Sequence, residues 1–533
     1  MIRRLLRASL LGLSLLALLL GAEQLLDRCC PFQGDAFARF GESSRVYAAD
    51  GTLLRVTPTP LGERLLRVMG DEVSPHLVSA LLAAEDERFR SHSGVDPGAV
   101  CRAAITNLIR GRVVSGASTL TMQLARIGEP RPRTMPSKII ETFRARQLER
   151  QFSKDELLTL YLNLAPFGGT LRGVDAASSY WFGKQPADLA PEEAAALIAL
   201  LPAPSRRSPR RFPDQMLSHR NFVLDRMLDC RFLSESEHAR ARSAPLGMTP
   251  HPWPFLAPHA CEVLLREERG PVVYSNLDTS LQRSFESVLD SGEEIDTDAA
   301  ALVALRRSDG ALCALVGSRD YETVQLNTAT CRRAAGSTLK PFLYDLALST
   351  GVTGLRSPVE DTPTAFGEYR PKNFRDEYSG SISAGRALVE SRNLPAVNLL
   401  ERVGVDRFRE RCRELGLPVS GRPWHLDSAL GTMSVSPLEL ARAYVRFAGQ
   451  SGSARKILSA LASGEPLPGL STDTPIAWKT GTSAGHRDAW CIAITEKHVL
   501  VAWLGNLDGE ASPNLIGIHA AAPLVARLVP FLQ

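Results

Sequence analysis

The 533-residue chain has no dense Lys/Arg run interleaved with aromatic residues, and its net charge is only +4. A nucleic-acid groove is therefore not expected, and no nucleic-acid partner is predicted. No Cys-x-x-Cys pair and no histidine cluster has metal-site spacing, so the motifs predict no metal centre. The nine cysteines are odd in number, which leaves at least one unpaired if disulfides form. Internal repeats and low-complexity tracts are absent as well. One apolar run stands out, Ala8 to Ala22, mostly leucine, preceded by Arg3, Arg4 and Arg7. It is short for a membrane span and long for a signal-peptide core, and Leu25 and Leu26 extend it. The arginines would stay on the cytoplasmic side. Residues 1–28 are read as an uncleaved anchor in preference to a cleaved signal, with the rest of the chain exported either way.

An apolar content of 44% with 23% charged residues describes a folded protein with ample core. At this length two domains are expected. The proline-rich stretches Pro202 to Pro213 and Pro245 to Pro258, with a helical stretch near 214–243 between them, predict a semi-rigid connector over 206–268. They divide the chain into 45–205 and 269–533. The basic run Arg206, Arg207, Arg210 and Arg211 is broken by proline and reads as solvated.

In the second half, Ser337-Thr338-Leu339-Lys340 is followed by Ser391-Arg392-Asn393 and then by Lys479-Thr480-Gly481-Thr482-Ser483. A serine hydroxyl is a weak nucleophile until a neighbouring base takes its proton. Residues three apart share a helix face, so Lys340 can reach Ser337 if Gly336 opens a helix. Leu339, Phe342, Leu343 and Leu346 would form its apolar stripe, and Pro341 falls in the tolerant first turn. Residues 489–495 and 499–505 flank a short turn and predict a β-hairpin just after the lysine motif. Residues 300–305 and 311–316 predict another before the serine.

The first half carries different signals. Pro75 to Phe89 predicts a helix with Leu77, Val78, Leu81 and Leu82 on one face, carrying Glu85 and Asp86 near its end and His92 beyond. Ser115 to Arg126 opens with small residues and continues with polar ones. Lys138 and Glu141 lie three apart in a helical pattern running through Glu149. Ser153-Lys154-Asp155-Glu156 is a capping box that starts the next helix.

The order of SxxK, SxN and KTG resembles the active-site serine enzymes that bind β-lactams. Together with the segments around Glu85, Ser118, Lys138 and Asn163–Gly169, it resembles the class A penicillin-binding proteins, most of all their 1C subgroup. That resemblance implies a multi-domain fold. It has a membrane helix, a mostly α lysozyme-like glycosyltransferase domain, and an α/β (α+β) transpeptidase domain built on a five-stranded antiparallel sheet. It implies Glu85 as the general base for the acceptor sugar and Glu141 as the second glutamate near the leaving pyrophosphate. Asp86, Phe89 and His92 would shape that site, while Ser118, Thr119, Gln123, Arg126 and Lys138 would bind diphosphate and sugars. Ser337 would be the acylated nucleophile and Lys340 its base. Ser391 and Asn393 would relay protons and hold the substrate amide; Lys479, Thr480, Gly481 and Thr482 would form the strand that grips the terminal carboxylate.

Implied partners are lipid II and nascent glycan strands, stem peptides, β-lactams, the inner membrane and other cell-wall synthesis proteins. The implied location is a single-pass inner-membrane protein with periplasmic catalytic domains. No cofactor is required, although a divalent cation (Mg or Mn) at the glycosyltransferase site is compatible. Departures from the family pattern are Ala117 for glycine, Ser137 for arginine and Ala334-Ala335 before Gly336 in place of Ser-Pro. Residues 450–475 look short, and the small C-terminal β-domain of the subgroup is expected to be missing after Gln533. The leading reading is a bifunctional peptidoglycan synthase. A glycosyltransferase with a low-turnover penicillin-binding sensor or scaffold domain stays open beside it, as does a serine hydrolase of the β-lactamase or carboxypeptidase type.

Overall fold

The computed structural model describes residues 21, 24–25, 28–110, 116–204, 206–290, 297–421, 423–470 and 475–532. Apart from Gly21, the apolar run Ala8 to Ala22 lies outside these residues. Among the described residues no helix is long and apolar enough to cross a membrane. The chain divides into two compact units, one of Met1–Arg45 with Val56–Pro254 and one of Val46–Arg55 with Phe255–Gln533.

The first unit is mostly helical: α1 (Pro75–Glu85), α2 (Pro97–Arg110), α3 (Leu120–Gly128), α4 (Met135–Gln151), α5 (Lys154–Leu164), α6 (Val174–Phe182), α7 (Pro191–Leu200), α8 (Pro213–Asp229) and α9 (Glu235–Ser243). Local chemistry sets most of these boundaries. Ser153 caps α5 reciprocally with Glu156, whose carboxylate accepts from Ser153 N at 2.7 Å. Helix α1 is shorter than the sequence pattern suggests: it stops at Glu85, not Phe89. Asp86 leaves helical geometry (φ −161°) because its buried carboxylate accepts the N–H of Leu120 at 2.9 Å and so serves the start of α3. The core of the unit is continuous, running from Leu77 and Leu81 through Leu124 and Leu148 to the alanine- and leucine-rich α7.

The stretch 206–268, read from sequence as a connector, is shared between the two units. Helix α8 buries Met216, Val223, Leu224 and Met227 in the first core, and Arg220 is fully buried while donating to the carbonyls of Arg242, Ala244 and Pro245. An apolar face of that kind gives the segment a packing role in place of a spacer role. The helical stretch near 214–243 breaks at Cys230–Ser234, where Arg231 has φ 62° and Ser234 caps α9.

The second unit is built on a five-stranded sheet of β1 (Ala299–Arg306), β2 (Leu312–Val316), β3 (Ala477–Thr482), β4 (Asp488–Ile494) and β5 (His498–Gly505), in the order β3-β4-β5-β1-β2. All neighbouring pairs are antiparallel. Both hairpins read from sequence are present, and β3 is an edge strand. The sheet is buried on both faces, since every residue of β4 and all but the first of β5 are buried. One face meets the core of α11 (Lys340–Ser349) and α14 (Pro437–Ala448), and the other meets α10 (Thr279–Asp290) and α16 (Gly517–Leu528). Helices α12 (Asn393–Val403), α13 (Val405–Glu414) and α15 (Ser453–Ala462) pack into the same core as Lys340–Ser349. Residues 46–55 also join this unit, forming a small sheet with Val272–Tyr274.

Candidate active sites

In the first unit the polar residues singled out from sequence line up along α3. Glu85, the last residue of α1, accepts from Gln123 Nε2 at 2.7 Å, and Gln123 Oε1 accepts from the Tyr161 hydroxyl at 2.8 Å. Burial raises the Tyr161 phenol strongly, and the Glu85 charge adds to this, so the phenol stays a proton donor. One turn along α3, Arg126 lies 3.8 Å from Glu141. Glu141 is buried and also accepts from Lys138 at 3.3 Å, and Lys138 in turn bonds the Ser118 hydroxyl. The result is a carboxylate bonded to Gln123 of α3 and, beside it, a cationic cluster of Arg126 and Lys138 paired with Glu141.

Asp86 and His92 sit behind this line. His92 Nε2 lies 3.0 Å from the Asp86 carboxylate, and Thr119 caps α3 while donating to Gly94 O at 2.7 Å. Phe89 is buried and carries Lys154 over its ring at 4.3 Å. These four therefore hold the loops around α3 in place. The donors around Glu141 do not make a divalent-cation cage, because that carboxylate is already flanked by two cations. Among the described residues no group of three potential ligands exists.

In the second unit a cavity of about 1440 Å³ is lined by Ser337, Ser391, Asn393 and the whole of Lys479–Ser483. Gly336–Leu339 form a turn of 3₁₀ helix that runs into α11, so residues three apart lie one above the other. Gly336 has φ 56°, and a Cβ there would sit 2.7 Å from the Thr482 carbonyl, so only glycine lets the serine turn press against β3. Tyr444 donates to Thr338 O at 2.6 Å and Trp490 to Ala334 O at 2.9 Å, pinning the turn from both sides. Ala335 N donates to Met433 O at 3.0 Å.

Lys340 is fully buried and makes three contacts, to Ser391 O at 2.6 Å, Asn393 Oδ1 at 2.7 Å and Arg392 O at 3.1 Å. The direct Ser337–Lys340 hydrogen bond anticipated from the spacing is not formed among the described residues. The lysine is instead anchored to the 391–393 loop, because that loop offers three carbonyl-type acceptors. Lys479 Nζ donates to Ser391 Oγ at 2.8 Å and Thr480 O at 2.9 Å. Burial, and secondarily the Lys479 charge, hold Lys340 well below the usual lysine value. Burial brings Lys479 down to about 7. A neutral Lys340 has two hydrogens for its three acceptors and keeps a lone pair, which is what a base needs. Thr482 Oγ1 accepts from Gly517 N at 3.0 Å, tying α16 to the edge strand.

Some site residues escaped the sequence reading. Tyr161 stood in a helix with no motif of its own. Phe374 and His486 both line the cavity and stack with ring centroids 5.6 Å apart. Of the five non-glycine residues with positive φ among the described residues, three belong to segments around this cavity: Asp376, Ser391 and His486. Clustered backbone strain of this kind marks functional sites.

A buried-lysine serine centre against an edge strand defines an active-site serine acyltransferase, and the first unit adds a separate carboxylate–cation centre. Residues 54–228 match the Transglycosylase family and residues 300–458 the Penicillin binding protein transpeptidase domain. The chain is 38% identical over 516 residues to penicillin-binding protein 1C of Escherichia coli, covering 91% of this chain and 67% of that protein. It is 32% identical to penicillin-binding protein 1F of Bacillus subtilis, covering 71% of this chain and 56% of that one. The crystal structure of penicillin-binding protein 1A from Haemophilus influenzae shares its fold, with a TM-score of 0.60 at 19% identity over 92% of each chain. The chain belongs to the class A penicillin-binding proteins, the bifunctional enzymes of peptidoglycan synthesis with a transglycosylase and a transpeptidase domain.

Proposed function

We propose that the first unit polymerises lipid II and the second cross-links the stem peptides of the product. Glu85 takes the proton from the acceptor's 4-hydroxyl as that oxygen attacks the anomeric carbon of the pyrophosphate-linked donor. The new C–O bond forms as the bond to the pyrophosphate breaks, and charge develops on the leaving phosphate. Arg126, Lys138 and Ser118 are the groups available to meet that charge, with Glu141 holding the two cations in position. Gln123 fixes the Glu85 carboxylate from the side of Tyr161.

In the second unit Ser337 Oγ attacks the penultimate D-alanine carbonyl while Lys340 takes its proton. The peptide C–N bond breaks, and the leaving D-alanine is protonated through Ser391. An amine from a neighbouring strand then displaces the serine and completes the cross-link. Lys479, Thr480 and Thr482 bind the terminal carboxylate, and Asn393 Nδ2 holds the substrate amide. β-Lactams acylate Ser337 by the same path and leave slowly. The observation that carries this reading is that Ser391, Asn393 and Lys479 line the same cavity as Ser337, while buried Lys340 bonds Ser391 O and Asn393 Oδ1.

We also assign residues 1–28 to a single inner-membrane anchor that leaves both units periplasmic. Exposed Val100, Ile105, Leu108 and Ile109 on α2 and Met135 and Ile139 on α4 support work at a lipid surface. Extraction of the protein from membranes by high salt alone would overturn the anchor.

The test uses lipid II and separate assays of chain growth and cross-linking. Glu85→Gln is expected to abolish chain growth while fluorescent penicillin still labels the protein. Ser337→Ala is expected to leave glycan strands uncross-linked. Unchanged chain growth in Glu85→Gln, or cross-links in Ser337→Ala, would overturn the assignment. A wild type that grows chains and is acylated but forms no cross-links would favour the sensor reading of the second unit.

A further inference from the structure

Lys340 takes its position from the 391–393 loop, so whatever fixes that loop fixes the base. The loop needs outside support: Ser391 has φ 58°, and Arg392, at the N-cap of α12, gives no side-chain cap. The support comes from Asn373, in the segment joining the paired strands Pro358–Asp361 and Gly380–Ser383. Its buried Oδ1 accepts from Asn393 N at 2.8 Å and Leu394 N at 3.3 Å, the first two N–H groups of α12. Its Nδ2 donates to Asp361 Oδ1 at 2.6 Å and to Glu377 O at 2.8 Å. A reversed amide would set oxygen against carboxylate and nitrogen against two donors, so the orientation is determined.

Asp361 is fully buried, accepts from Ser379 N at 3.0 Å and lies 3.6 Å from the Arg392 guanidinium. The preceding residue contributes as well, since Lys372 O accepts from Asn393 Nδ2 at 2.8 Å. Asn393 is thus held by main chain and side chain from two consecutive residues, and its remaining oxygen points at Lys340 Nζ. Asn373 is not among the residues lining the cavity.

We propose that Asn373, seated on Asp361, is a positioning residue for acylation: it holds Asn393, and through it Lys340, in the geometry that serine attack requires, without touching substrate. This rests on Ser337 and Lys340 being nucleophile and base. Asn373→Asp sets a second carboxylate against Asp361. The combined variant Asn373→Asp with Asp361→Asn exchanges the two groups, so an amide again donates to a carboxylate that still accepts both α12 N–H groups, and only the bond to Glu377 O stays lost.

The test is the second-order rate of acylation by fluorescent penicillin in the full-length chain, with thermal unfolding of each sample alongside. Asn373→Asp is expected to slow acylation at least tenfold, a change of about 1.4 kcal/mol. The exchanged pair, freed of the carboxylate–carboxylate contact but still without the Glu377 bond, is expected to acylate at least threefold faster than Asn373→Asp. Glycan chain growth by the same samples should not change. Acylation at the wild-type rate in Asn373→Asp would overturn the proposal, and so would an exchanged pair as slow as the single variant. Labelling that persists in Ser337→Ala would instead defeat the underlying reading of the site.

Discussion

Replacing Lys479 with methionine should make the second unit more stable at neutral pH while ending its chemistry. In the folded protein burial brings the Lys479 ammonium from 10.5 down to about 7. Below pH 7 the lysine is charged in both folded and unfolded chains, and the folded state bears the full cost of burying it. With about 1.4 kcal/mol for every tenfold weakening of proton binding, that cost is on the order of 5 kcal/mol. The bonds to Ser391 Oγ and Thr480 O return about 3 kcal/mol. The methionine variant should therefore gain about 2 kcal/mol at pH 7, or about 4–8 °C in Tm for a unit of this size.

The sign reverses as pH rises. Between pH 7 and 10.5 the unfolded chain binds more protons than the folded one, so wild-type stability climbs by about 1.4 kcal/mol per pH unit. The advantage of the variant should vanish at about pH 8.5. Lys340 is buried in both proteins, and removing its neighbour's charge only eases its ionisation. The assay is calorimetry of the full-length chain from pH 7 to 9, with the second unit's transition identified by its shift on penicillin acylation. A variant less stable than wild type at pH 7, or a gap that does not change with pH, would refute the reasoning.

Three further outcomes follow from the geometry. Tyr161→Phe removes the donor to Gln123 and should slow chain growth about two- to tenfold in a lipid II assay, with penicillin labelling unchanged. Gly336→Ala places a Cβ 2.7 Å from Thr482 O on a left-handed backbone, and should lower penicillin acylation by more than a hundredfold while chain growth persists. Phe374→Ala removes the ring stacked on His486 at the cavity and should raise the apparent KM for acylation several-fold with little change in its limiting rate.

What the sequence revealed was the part encoded locally. The capping box at Ser153, the two hairpins around the sheet and the run Lys479–Ser483 on an edge strand all follow from short-range pattern. The motif residues also meet as expected at Glu141 and at Lys479. What stayed hidden depends on contacts between distant segments. Helix α1 ends early because Asp86 is drawn to Leu120, and Tyr161 matters only because α5 brings it to Gln123. Lys340 is anchored to a loop some fifty residues downstream, whose carbonyls no spacing rule could place. The 206–268 stretch looked like a spacer because its polar residues mask a stripe of four buried apolar side chains on α8.

The central claim is that two independent centres, the carboxylate of Glu85 and the hydroxyl of Ser337, do different chemistry in two units of one chain. Glycan length measured over time with lipid II and saturating benzylpenicillin tests it most directly. Strands should keep lengthening at the untreated rate while cross-links disappear. Arrest of strand growth once Ser337 is acylated would contradict the account.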